Sequence, residues 1–197
     1  MAVPAWSLLV SLALCGWSQA PPADEAALKR GAKAKLESAR SALIRGDFGA
    51  VVDLTHPRVI SLMGGRAQMV GLLESGRKKF LDQGYEFRSL RVEEPSDLVV
   101  QGDEIYAVVP FSIVLKAPGG QVMAQGFALG VSPDRGRSWS FVNGDPDSRL
   151  LRQVLPDLPE RLRFPERRKA TYEKDGARVD PPRPSWPIIA SKRLSLG

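Results

Sequence analysis

The sequence predicts an α+β domain, and three observations carry that prediction. Apolar residues recur every three or four positions between residues 24 and 83, which is the period of a helix buried on one side. From Tyr85 onward the period changes to two, in short runs separated by Gly, Pro and Asp, which is the pattern of an antiparallel sheet. The third is composition: 197 residues, 43% of them hydrophobic, are enough for a core, while a single Cys and a single His exclude a disulfide scaffold or a zinc cluster. The expected architecture is three N-terminal helices packed on an antiparallel sheet of about five strands.

The elements follow in order. Leu28, Ala32, Leu36, Ala39 and Leu43 place one apolar stripe on a helix over 24–45, stopped by Gly46. Asp47 can cap a second helix carrying Phe48, Val51, Val52 and Leu54. His56 precedes Pro57, a position that disfavours helix, and Pro57 opens a further turn through Val59, Leu62 and Met63. Gly64-Gly65 punctuates, and a third helix runs from about Arg66 to Gln83 on Met69, Leu73 and Phe80. Tyr85, Phe87, Leu90 and Val92 alternate with a slip at Arg88-Ser89, which predicts a bulge. Leu98–Gln101, Ile105–Lys116, Met123–Val131 and Trp139–Asn143 are the remaining strands, joined by turns at Gly102-Asp103, at 117–120 and at 133–136.

Residues 1–20 contain no Lys, Arg, Asp or Glu, and an apolar run from Trp6 to Leu14 leads to small residues Ser18 and Ala20 ahead of Pro21. That layout is a signal peptide, since a transmembrane helix needs roughly twice as long an apolar run. Cys15 suggests lipoprotein processing, but Leu14 stands where such signals carry a small residue, so cleavage after Ala20 and export to the periplasm or medium are expected. The mature chain then has no cysteine.

Charge divides the rest. Residues 21–150 carry 17 basic and 16 acidic side chains, whereas residues 151–197 carry 11 basic and 6 acidic ones together with seven of the 16 prolines. The segment 151–197 therefore reads as a basic, Pro-rich, largely disordered tail, with a polyproline II stretch at 181–187. Arg161, Arg163, Arg167, Arg168 and Lys169 offer an electrostatic contact for an anionic surface. The basic residues lack interleaved aromatics, so nucleic acid is not an expected partner.

The element order, together with Gly46-Asp47-Phe48, Thr55-His56-Pro57, Met63-Gly64-Gly65, Met69, Val109-Pro110 and the stretch from Asp134 to Gly144, resembles the nuclear transport factor 2-like (SnoaL-like) superfamily over residues 24–145. The motifs look like those of small exported bacterial members without an assigned role. The resemblance implies a cystatin-like cone, in which a curved sheet wraps the helices around a pocket at its wide end. The family holds dehydratases, isomerases, polyketide cyclases and pure binding proteins, so it does not decide the chemistry.

The chemistry-bearing residues are few. His56 is the only histidine, and Asp53 three residues earlier could orient it as a general base; the alternative role is a helix end whose imidazole bonds nearby backbone. Ser132-x-Asp134-x-Gly136-x-x-Trp139 is an Asp-box, a hairpin device in which Asp134 accepts turn N–H groups and Trp139 packs beneath. Asn143, Asp145 and Asp147 resemble the start of a calcium loop but lack its Gly and closing Glu. No phosphate loop, nucleophile elbow or dinucleotide fingerprint occurs. Phe111, Ile113, Leu115, Met123, Phe127, Leu129, Val131, Trp139 and Phe141 read as one apolar face that could line a pocket, with Gln125 interrupting it as a group able to orient a ligand. The expectation is an exported, non-catalytic binding or interaction domain without metal or cofactor. Its ligand would be a small apolar molecule held by Phe111, Phe127, Trp139 and Gln125, or its partner a protein or a second copy docked on the sheet. The alternative is a cyclase, isomerase or dehydratase using His56 and Asp53.

Overall fold

The computed structural model describes residues 24–96, 98–144, 148–166, 168–174 and 177–179. The expected signal peptide, Cys15, Asp145, Asp147 and the Pro-rich stretch at 181–187 lie outside the described residues. Four helices precede the sheet: α1 (Glu25–Arg45), α2 (Phe48–Asp53), α3 (Pro57–Leu62) and α4 (Arg66–Asp82). The turn expected after Pro57 is thus a short helix of its own. Asp24 caps α1 by accepting from the Ala26 N–H, and Gly46 ends it at φ 81°, where its N–H reaches back to the last turn. Asp47 then caps α2 through the Ala50 N–H at 3.1 Å.

The strands are β1 (Glu86–Val92), β2 (Val99–Gln101), β3 (Glu104–Ala117), β4 (Gly120–Ser132), β5 (Ser140–Asn143), β6 (Thr171–Lys174) and β7 (Ala177–Val179), with α5 (Ser148–Val154) between β5 and β6. All pair antiparallel in one seven-stranded sheet of order β1-β3-β4-β6-β7, with β2 also on β3 and β5 also on β4. The fold is therefore α+β, and the described residues hold two more strands than the expected five. The bulge falls where the alternation slips, between Phe87 and Ser89.

Two corrections concern what the sheet is packed against. The β3–β4 register sets Phe111 opposite Gly126 and Pro110 opposite Phe127, so odd positions of β3 share a face with even positions of β4. The apolar set read as one face is therefore split between two. Ile105, Ala107, Val109, Ala128, Trp139 and Phe141 form one core with Ala32 and Leu36 of α1. Tyr106, Val108, Phe127, Leu129, Val131 and Val142 form another, with Val52, Val59 and Met69 from the helices. Strands buried on both sides read as unbroken apolar runs, and Ile105–Val109 is such a run.

The second core also contains Leu151, Leu155, Leu158 and Leu162, and Phe164 stacks on Phe127 with ring centroids 5.4 Å apart. The expected boundary at residue 150 is thus misplaced: residues 151–164 cover the sheet, and β6 and β7 extend it. Burial of each leucine contributes roughly 1.5–3 kcal/mol. Leu151 lies on α5, within the short helical pattern of Leu150, Leu151 and Val154, whereas Leu155, Leu158 and Leu162 come from turns and irregular chain around Pro156 and Pro159, where no helical or strand period marks them. Its arginines largely bind backbone, with Arg152 donating to the Leu158 carbonyl at 3.2 Å, Arg163 to that of Glu160 at 3.2 Å and Arg161 to that of Val100. No helix among the described residues is long and apolar enough to cross a membrane.

Candidate functional site

The site begins on α1. Steps of four from Leu28 place Ala32, Leu36 and Arg40 on the side facing the sheet, and Arg40 is only 9% exposed. Its guanidinium carbon lies 4.0 Å from the centroid of the Phe111 ring. Phe111 in turn occupies the space over Gly126, where a Cβ would stand 2.8 Å from Phe111 Cζ. Arg40 Nη2 donates to Asn143 Oδ1 at 2.9 Å, and the register of β5 places Asn143 beside Ala128 on the same face. Arg40 Nε has no hydrogen-bond partner, and no carboxylate among the described residues forms an ion pair with Arg40. Burial pulls its pKa down to about 10, so it is still a cation at neutral pH.

Beyond Arg40 the apolar face changes character. Three rows cross the sheet in register: Val92–Phe111–Gly126, Leu90–Ile113–Ala124 and Phe87–Leu115–Val122. The first joins the core under α1, and the third joins a cluster around Phe80, Tyr85 and Tyr172. Ile113 and Ala124 of the middle row belong to neither, and Leu90, Phe111, Ile113 and Ala124 are all half-buried. Rows on one face are about 7 Å apart, so the incompletely covered row adjoins the Arg40–Phe111 stack.

The sequence-predicted residues separate accordingly. Phe111 lies in this site. Trp139 is buried on the same face but beside Gly130, roughly 13 Å along β4 from Gly126; its Nε1 has no partner and lies against Gly31. Phe127 is on the opposite face, in the core closed by Phe164. Gln125 is also on that opposite face, exposed, and its Oε1 accepts from Arg168 at 3.1 Å. An open concavity of about 630 Å³ lies nearby, lined by Arg88, Lys116, Gly120, Gln121 and Glu173, with Gln121 already donating to Glu173 at 2.8 Å. Arg40 was passed over because a charged residue in an apolar stripe reads as a break, although its spacing of four from Leu36 was the available signal.

His56 and Asp53 do not form the expected pair. Asp53 Oδ1 is held by Arg66, at 2.8 Å from Nη2 and 3.2 Å from Nε. His56 Nδ1 instead accepts the Arg58 backbone N–H at 3.2 Å and caps α3, while the backbone N–H of His56 donates to the Phe141 carbonyl at 3.0 Å. Burial, reinforced by Arg58 and opposed by Glu104, holds the imidazole below its ordinary pKa. The Asp-box is a hairpin staple: Asp134 accepts from the Ser138 N–H and hydroxyl, both at 2.8 Å, and from the Ser132 hydroxyl at 2.9 Å. Gly136 sits at φ 91° and donates to Ser132 Oγ at 2.7 Å. No group of three or more His, Cys, Asp or Glu among the described residues could hold a metal.

No protein-family model matches the chain, and no curated protein matches it significantly.

Proposed function

We propose that this protein is an exported, non-catalytic binding domain of the nuclear transport factor 2-like type, whose sheet curves around α1 as a cone. A small, largely apolar molecule seats between α1 and the face carrying Phe111 and Ile113. The observation that carries this reading is the half-buried Leu90–Ile113–Ala124 row on the α1 side of the sheet, whose Ile113 and Ala124 join neither of the flanking cores. The acid–base alternative has less support, because Arg66 holds Asp53 and the α3 backbone occupies Nδ1 of His56.

Titration with the neutral solvatochromic dye Nile red tests the reading. Saturable binding with a blue-shifted emission is expected, and Ile113→Trp, which fills the strip, abolishes it. Absence of saturable binding by the wild-type protein overturns it. Mass spectrometry of the mature N-terminus checks export, with Pro21 as the expected first residue.

A further inference from the structure

We infer that the ligand of this site carries an anionic head group, a carboxylate on an apolar body, and that Arg40 is the residue that binds it. This rests on the binding reading above. A guanidinium that is 9% exposed would ordinarily be matched by a carboxylate, because an isolated buried charge costs several kcal/mol even after relaxation. Arg40 has no such match among the described residues: one amide oxygen serves Nη2, an aromatic face serves the plane of the group, and Nε serves nothing. A neutral amide such as Asn143 orients a guanidinium without neutralising it, so among the described residues the cation is positioned but not compensated.

The buried, unpaired N–H at Nε is what a planar carboxylate engages in a side-on pair of N–H···O bonds once it displaces the side chains that cover the group. Phe111, clamped between Gly126 and the guanidinium, fixes the plane of that group. The neighbouring Leu90–Ile113–Ala124 row then receives the apolar body. A cation at one end of an apolar strip recognises an amphiphile with one negative end. A purely apolar guest would leave the charge uncompensated, and a polyanion would have to place its remaining charges against leucine and isoleucine.

The test compares decanoate with 1-decanol as competitors of Nile red on the full chain at pH 7. Decanoate is expected to displace the dye at least tenfold more effectively than decanol. In Arg40→Met that preference is lost or reversed while Nile red still binds; Arg40→Gln serves in the same way should Arg40→Met fold poorly. Equal displacement by acid and alcohol in the wild type, or an unchanged preference in a folded Arg40 variant, overturns the inference and leaves the apolar site standing. Failure of Nile red to bind the wild type overturns the binding reading, and this inference with it.

Discussion

Arg40 of α1 and Asn143 of β5, 103 residues apart in the chain, are joined by a 2.9 Å hydrogen bond that is the guanidinium's one polar contact to a side chain among the described residues. Removing the amide strands a buried cation. Asn143→Leu is expected to cost about 1.5–3 kcal/mol, the range for a lost hydrogen bond to a charged group. Arg40→Met is close to neutral, since a desolvated charge and the donor to Asn143 disappear together. The double variant returns to within about 1 kcal/mol of the wild type, and urea unfolding of all four proteins measures the coupling. Additive losses would show that the bond does not hold the guanidinium.

Leu162 tests whether residues 151–164 belong to the folded body. It is buried in the core that also holds Val108 and Leu129, and Leu162→Ala is expected to destabilise the protein by about 2–5 kcal/mol. A disordered tail would tolerate the change without a shift in the unfolding midpoint.

Ser132 is fully buried and bridges the hairpin, donating to Asp134 and accepting from the Gly136 N–H. Ser132→Ala leaves that N–H without its acceptor and should cost about 1–3 kcal/mol. Amide exchange at Gly136 should accelerate more than at positions in β1. Uniform acceleration across the sheet would instead point to a general loss of stability.

His56 makes stability fall with acid. Its folded pKa lies below the ordinary 6.5, so the unfolded chain takes up its proton first as pH falls. Stability is full above about pH 6.5 and declines as pH drops through the folded pKa. His56→Asn keeps an acceptor for the Arg58 N–H but cannot titrate, and the slope in that window should flatten. An unchanged slope would assign the acid sensitivity to other groups. Asp134 contributes in the opposite class of residue but in the same direction: hydrogen bonds from Ser138 depress its pKa below 3.8, and that support is lost only at still lower pH.

Legibility followed the physical scale of each feature. The helix cap at Asp47, the stop at Gly46, the bulge before Ser89 and the Asp-box hairpin are all short-range, set by a few neighbouring residues, and they stand where the spacing placed them. The partner of a side chain across the sheet is different. Asp53 precedes His56 by one helical turn, yet Arg66 takes the carboxylate, because the approach of α2 to α4 brings a cation nearer than the imidazole.

Periodicity was therefore sufficient for the α+β class and for most elements and turns between residues 24 and 143, since these depend on local backbone preferences and on which side of one element is apolar; it missed α3 as a separate helix and the strands β6 and β7. Tertiary structure alone decided which strand positions share a face, because antiparallel register pairs odd with even numbers across β3 and β4. It also decided that the basic C-terminal segment closes a core, because irregular chain buries leucines without a period. And it turned Arg40 from one of 28 basic residues into a buried cation stacked on Phe111, because only the packing of α1 on the sheet removes that charge from water.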